Sequence, residues 1–374
     1  MLEKKINNLS KKKTVLLVPL DWGLGHATRC IPLIRELQSN GCEVIVGAEN
    51  NIRSLLEHEF QQLRFLPLPG YRIAYSKKRY WLPLKILLQI PKILYHIFLE
   101  HQWLKKVEKI YEIDAVISDN RFGLFHNRLP CIYITHQLLI KTGNVISQKI
   151  AQLTHYYFIR RYSACWVPDF AGKENVAGEL SHPNRLPANI CYIGCLSRFD
   201  QPIPLVKCRF LLIIISGPEP QRSIFEAIVL NQLKKFRGTA MLIRGLPGIS
   251  EKKEEASSSK NDFPKNVVIK NHLNAIQMNE AILESEWVVS RSGYTTIMDL
   301  LKLKKLAILV PTPGQTEQEY LAMYLMEKRL FFSVKQENFL LESVLEQAQD
   351  FPFAFTNFDM SLYKNSVQQF VQSL

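Results

Sequence analysis

The residues best placed to do chemistry fall in two runs. The first is Val288-Val289-Ser290-Arg291-Ser292-Gly293-Tyr294-Thr295-Thr296-Ile297-Met298-Asp299-Leu300, followed by an apolar run ending at Val310-Pro311 and by Gln315-Thr316-Glu317-Gln318-Glu319-Tyr320. It reads as a buried strand, a Ser/Gly turn, a helix, a second strand and a polar loop opening another helix. Such a strand-turn-helix suits an anion: free N–H groups at the helix start and the groups of Ser292, Gly293, Thr295 and Thr296 can bind phosphate oxygens. Asp299 lies further along the helix, where its carboxylate can accept from ribose hydroxyls. The second run, Asp21-Trp22-Gly23-Leu24-Gly25-His26-Ala27-Thr28-Arg29, is a glycine-rich turn between the strand Val15 to Leu20 and a helix over Ile31 to Gln38. It is not a dinucleotide fingerprint, since it has too few glycines and sets a histidine where a phosphate needs open backbone.

Both runs need a parallel α/β framework to bring them together. Glu43 to Ala48 completes a βαβ unit with the first strand, and Asp114 to Arg121 and Cys131 to Gln137 are further strands ending in polar residues. The carboxyl ends of parallel strands face the ligand crevice, which makes Asp119 and His136 candidates there. Ala164 to Asp169 closes this first set, and the proline-bearing Leu196 to Lys207 reads, with Tyr192 to Gly194, as a linker. Phe210 to Ile215, the turn Ser216-Gly217-Pro218-Glu219-Pro220-Gln221-Arg222-Ser223 and a helix over Ile224 to Leu233 start a second set, which continues with a strand over Ala240 to Ile243 that ends at Arg244. Residues 248 to 263 read as a solvated loop. The divisions expected are 1–199, 208–355 and a terminal helical segment, 356–374, returning to the first domain. Strand-Gly-helix turns are common in any α/β protein, and a histidine at a helix start is often only a cap.

The order of the parts resembles the C-terminal domain of glycosyltransferase family 28. The resemblance rests on Ser-Arg-Ser-Gly, an acidic residue six positions after the glycine, a strand ending in Val-Pro, and Gln-x-x-Gln-Glu-Tyr. It implies the GT-B arrangement, two Rossmann-like doubly wound domains across a cleft, with a nucleotide-sugar donor on the C-terminal domain and the acceptor on the N-terminal one. It also implies that Asp299, where the family has Glu, holds the ribose. Gln315, Gln318 and Glu319 would meet the donor sugar, though the family's paired glutamines are matched only at Gln318. Ser216, Gly217, Arg222 and Arg244 would serve the phosphates, with Pro218 and Pro220 removing two N–H donors. The turn at His272 would read the nucleobase. The family carries Gly-Gly-His where this chain has Gly-Leu-Gly-His, which sets His26, Asp21, Gly23 and Gly25 on the acceptor side.

Composition adds bounds. A chain of 374 residues, 47% hydrophobic, can build two well-buried cores. The net charge of +13 is concentrated in residues 1 to 200, at +11, against +2 for the rest. An acidic partner is therefore expected on the first domain. Seven cysteines without C-x-x-C spacing fit reduced core thiols and a reducing, cytoplasmic compartment. Residues 71 to 109 interleave nine Lys and Arg with Tyr71, Tyr75, Tyr80, Trp81 and Trp103 around apolar runs, with Pro83 and Pro91 expected to interrupt the helix. That composition suits an anionic membrane interface, although a helix packed on the sheet with solvated lysines has the same pattern. No run is long enough to span a bilayer. The lysines cluster with aliphatic residues and match no nucleic-acid module.

These features combine into an expected reaction: sugar transfer from a nucleotide sugar to a hydroxyl of a lipid-linked or glycolipid acceptor on the inner face of the membrane. No cofactor or metal is expected. Cationic groups and helix termini would hold the leaving diphosphate. The base would be His26 first, with Asp119 or His136 next. The competing readings are an epimerase or hydrolase of nucleotide sugars on the same fold, and a non-catalytic nucleotide-sugar-binding subunit.

Overall fold

The computed structural model describes residues 12–21, 23–71, 82–142, 144–199, 210–246 and 263–374, with backbone alone over 82–90. In chain order the first domain runs β1 (Thr14–Val18), α1 (Leu24–Ser39), β2 (Glu43–Gly47), α2 (Asn50–Glu59), β3 (Arg64–Leu66), α3 (Leu82–Tyr111), β4 (Ala115–Asp119), β5 (Cys131–Ile134), α4 (Val145–Ile159), β6 (Ala164–Val167) and β7 (Ile190–Tyr192). The second runs β8 (Leu211–Ile214), α5 (Gln221–Leu233), β9 (Ala240–Ile243), β10 (Val267–Lys270), α6 (Ala275–Glu284), β11 (Trp287–Ser290), α7 (Tyr294–Lys302), β12 (Ala307–Leu309), α8 (Thr316–Glu327), β13 (Phe332–Ser333), α9 (Leu341–Gln349) and α10 (Leu362–Gln372).

Each domain is built on one parallel sheet, in the orders β3-β2-β1-β4-β5-β6-β7 and β10-β9-β8-β11-β12-β13. β1 is buried throughout, as a central parallel strand covered on both faces must be. Strand order reverses at β1/β4 in the first sheet and at β8/β11 in the second, and ligands of open α/β sheets bind at such points. The turns after these four strands carry His26, Asp119, Ser216-Gly217 and Ser292-Gly293, so topology alone collects the chemistry-bearing residues of both runs. The two domains share an apolar seam from Ala27 and Ile31 of α1 through Leu196 and Phe199 to Ile297, Met298 and Leu301 of α7. Helix α10 lies against α1, with Phe370 edge-on to Trp166 of β6 at 5.5 Å between centroids.

Three details differ from the sequence reading. α3 runs unbroken through Pro91: that proline is exposed, so water can satisfy the carbonyl whose N–H partner it lacks, while Pro83 sits in the first turn, where no such bond is lost. Tyr192, read as the start of the linker, instead closes an edge strand, Ile190–Tyr192, that pairs in parallel with β6. The stretch between β5 and β6 forms α4, capped by Asn144, whose Oδ1 accepts from Ile146 N at 2.9 Å and Ser147 N at 3.3 Å. Most of the loop expected over 248–263, and the basic and aromatic residues between 72 and 81, lie outside the described residues. Among the described residues no helix is long and apolar enough to cross a membrane.

Candidate active site

The centre of the site is a buried chain of polar groups at the β1/β4 switch point. The carboxylate of Asp119, at the end of β4, is fully enclosed and takes Arg29 Nε at 2.9 Å on Oδ2 and Arg29 Nη2 on Oδ1. His26 Nδ1 lies 3.0 Å from Asp119 Oδ2 and 2.7 Å from Arg29 Nη2. Burial would raise the Asp119 carboxyl, but Arg29 and then His26 outweigh it and hold it at about 2. Burial first, then the Arg29 charge, depresses the His26 imidazole below its ordinary value, so the ring is neutral at pH 7. Nδ1 thus faces an acceptor, Asp119, and a donor, Arg29 Nη2; in the tautomer protonated on Nδ1 the lone pair is on Nε2, which makes no hydrogen bond among the described residues. That is the form a general base needs. Asp119 is strongly paired and ionised.

His136, after β5, is engaged on both nitrogens. Arg29 Nη1 is 3.4 Å from its Nδ1, and its Nε2 is 2.7 Å from Oε1 of Glu317, in the first turn of α8 of the second domain. Since a guanidinium only donates, Nδ1 accepts and the proton lies on Nε2, pointed at Glu317. The ring is stacked on Tyr294 at 4.2 Å and 5°. Burial would raise Glu317, but His136 and then Arg29 hold its carboxyl below the ordinary value.

The acceptor-side residues divide. Gly25 is one point where the two domains touch: Thr295 Oγ1 donates to its carbonyl at 3.2 Å, and a Cβ on Gly25 would stand 3.1 Å from Thr295 Oγ1, so only glycine permits the approach unchanged. Gly23 adopts φ 131°, a conformation favouring glycine, just ahead of α1. Asp21 belongs to another network, accepting from Tyr71 N at 3.3 Å and facing Arg121 Nη2 at 3.9 Å; Arg121 is paired to buried Glu100. The structure thus does not add Asp21 to the His26 cluster.

On the donor side, Gly293 caps α7 without a side-chain cap, leaving its first N–H groups open, with Thr296 half-buried beside them. Ser292 braces the loop instead, its Oγ donating to Gln318 O at 2.8 Å. Gln318 Oε1 accepts Thr312 N at 2.9 Å and its Nε2 donates to Gln315 Oε1 at 2.6 Å, while Glu319 Oε1 accepts Gly314 N at 2.8 Å. These three side chains hold the turn over 311–315 in shape. Arg222 and Arg244 both bind Glu226, and Arg222 also binds Glu219, so internal carboxylates already balance them. Ser216 is half-buried, and Gly217 (φ 107°) would place a Cβ 3.8 Å from Thr312 Oγ1. The Thr312 hydroxyl is buried with no partner among the described residues. Asp299 is buried; its Oδ1 accepts Ser197 Oγ at 2.7 Å, Arg198 Nε lies 3.7 Å from its other oxygen, and burial, against the pull of Arg198, pushes the carboxyl up to about 6. Asp299, on α7, thus faces the segment after β7. His272 is exposed at the surface on one side, and partial desolvation of its ring, then the charges of Arg198 and His58, depresses the imidazole.

Arg29, Glu317 and Thr312 are the functional candidates that motif reasoning passes over. Arg29 stands one helical turn after His26 and Glu317 between Gln315 and Gln318, a spacing that signals proximity but not that the two meet across the cleft. Among the described residues no group of three or more His, Cys, Asp or Glu could hold a metal ion.

Residues 213–372 match the model of the glycosyltransferase family 28 C-terminal domain. An uncharacterized glycosyltransferase of Methanosarcina acetivorans is 25% identical over 356 residues, 88% of either chain. Among solved structures, the glycotransferase of kitacinnamycin superposes with TM-score 0.61 at 14% identity, covering 97% of this chain and 96% of its own. MurG of Acinetobacter baumannii does so with TM-score 0.56 at 15% identity, covering 97% of this chain and all of its own.

Proposed function

Because this chain is a glycosyltransferase of the GT-B fold, with a family 28 C-terminal domain over residues 213–372, we propose that it moves a hexose or N-acetylhexosamine from a uridine diphosphate sugar to a hydroxyl of a lipid-linked or glycolipid acceptor. The observation that carries this reading is the neutral His26, backed by ionised Asp119 and set opposite the open N-terminus of α7 across a contact as close as Thr295 to Gly25.

In this mechanism Nε2 of His26 removes the proton of the acceptor hydroxyl as its oxygen attacks the anomeric carbon from the face opposite the leaving group. The new C–O bond forms as the bond to the diphosphate breaks, so configuration inverts. Asp119 balances the imidazolium. The diphosphate carries away the electron pair and is held by N–H groups at Gly293 to Thr296, by Ser216 and Gly217, and by the otherwise unpartnered Thr312 hydroxyl. Asp299, Arg198 and His272 take the nucleoside, and Gln315, Gln318 and Glu319 the sugar.

What supports a lipid acceptor is the first domain's surface. α3 exposes Leu94, Tyr95 and Phe98, α4 exposes Ile146, Ile150 and Leu153, and the cluster of Ile97 and Phe158 joins the two helices. Such a face, on the domain with the positive excess, suits an anionic lipid surface on the cytoplasmic side.

The test is a thermal-shift screen of nucleotide sugars, followed by transfer from the stabilising donor to a cell-lipid extract. A ligand that binds only the folded state raises the midpoint. Stabilisation by a uridine diphosphate sugar and a labelled lipid product support the proposal. Consumption of donor without acceptor makes the chain an epimerase or hydrolase, and binding without turnover under all acceptor mixtures makes it a binding subunit.

A further inference from the structure

The polar chain does not end within the first domain. From His26 it passes through Asp119 and Arg29 to His136 and leaves that domain at Glu317, at the start of the helix that follows the donor loop. We propose that Glu317 is a positioning residue that makes the base competent only when α8 is seated on the first domain.

His26 Nδ1 has two neighbours that demand opposite tautomers. A proton on Nδ1 goes to Asp119 and leaves Nε2 free as a base; a proton on Nε2 lets Nδ1 accept from Arg29 Nη2 and removes the base. The orientation of the Arg29 guanidinium decides between them. Its Nε and Nη2 meet Asp119, and its remaining terminal nitrogen, Nη1, is steered by the Nδ1 lone pair of His136. That lone pair exists because Glu317 takes the Nε2 proton, and stacking on Tyr294, another second-domain residue, fixes the ring plane. Loss of the Glu317 carboxylate frees His136 to turn or change tautomer, releases Nη1, and leaves the Arg29 guanidinium free to turn from Asp119 further onto Nδ1 of His26, from which its Nη2 is already only 2.7 Å away. Base formation is thereby tied to the contact of the donor-loop helix with the acceptor domain, so that a deprotonated nucleophile arises only beside a seated donor. Other cross-cleft bonds of α8 and its surroundings, such as Thr316 Oγ1 to Lys141 O at 2.8 Å, hold the domains without touching this chain.

This inference rests on His26 being the base. The experiment reads tautomers directly, by long-range proton–nitrogen spectra of the full chain labelled with ¹⁵N-histidine, with UDP as the bound probe and the signals assigned through His26→Gln and His136→Gln. Expected in wild type are Nε2–H at His136 and Nδ1–H at His26. Glu317→Ala should move His26 toward Nε2–H and lower kcat about 10- to 100-fold while the donor KM stays within about two-fold, the pattern of a misplaced catalytic group. Thr316→Val should leave both tautomers and kcat unchanged. If Glu317→Ala leaves the His26 tautomer and kcat alone while His26→Ala abolishes transfer, the coupling is wrong and the base assignment stands. Near-wild-type transfer by His26→Ala overturns both.

Discussion

At the scale of single residues, the site sets two buried carboxylates in opposite directions, one by its charged neighbours and one by burial itself. Asp119 is held at about 2 by Arg29 and His26, so its contribution to stability is present above about pH 4 and lost as pH falls toward 2. Asp299 has the reverse sign. Its carboxyl is raised to about 6, so the native state binds the proton more tightly than the unfolded chain, and stability falls as pH climbs from about 4 to about 6. Asp299→Asn keeps an acceptor for Ser197 and removes the titration. Urea unfolding at pH 4.5, 5.5 and 7 should show the variant gaining on wild type, by about 2 kcal/mol between pH 4.5 and 7. A gap that does not change with pH would show the carboxyl titrating normally. In catalysis, His26→Ala should leave UDP affinity unchanged and lower turnover roughly 10²- to 10⁴-fold, as loss of a general base does. Stopped assays with the donor found by thermal shift check this, and unimpaired turnover would remove His26 from the role.

At the scale of elements, α4 presents apolar residues at 146, 150 and 153 to solvent, a spacing that lines one side of a helix. Water-exposed side chains of this size each gain about 1.5 to 3 kcal/mol on full burial, and each basic group at an anionic surface adds about 1 kcal/mol. Changing Ile146, Ile150 and Leu153 together to Gln should leave the thermal midpoint nearly unchanged, because these side chains support little of the core. It should strongly reduce co-sedimentation with anionic vesicles. Wild type should be released only in part by high salt, since salt screens charge and not apolar contact. Equal binding of wild type and variant would mean that the α3/α4 face does not meet lipid. In the same helix pair Glu100 of α3 is buried and binds Arg121, Tyr71 and the Gly123 amide.

At the scale of the whole molecule, the two domains act through one shared seam, closed by a terminal helix that leaves the second domain and lies on the first. Phe370→Ala removes a buried ring from Trp166 and should cost about 3 kcal/mol, lowering the midpoint of thermal unfolding by several degrees. An unchanged midpoint would show that α10 contributes nothing to holding the domains. The amino-acid sequence by itself determined the two parallel sheets, because buried apolar runs alternating with helices and Ser/Gly turns admit little else. It also determined the family 28 match, because Ser-Arg-Ser-Gly, Asp299 and the Gln-x-x-Gln loop are local in the chain. Tertiary structure alone decided which polar groups are free. Arg222 and Arg244 read as phosphate ligands, but Glu226, on the helix between them, already binds both. Asp21 and His26 are five positions apart yet belong to different networks. Glu317 meets His136 across 181 positions of chain, and Asp119 meets Arg29 across 90. Spacing along a chain predicts neighbours within a helix or strand, whereas these pairings depend on how two sheets and their crossovers stack, which no local pattern encodes.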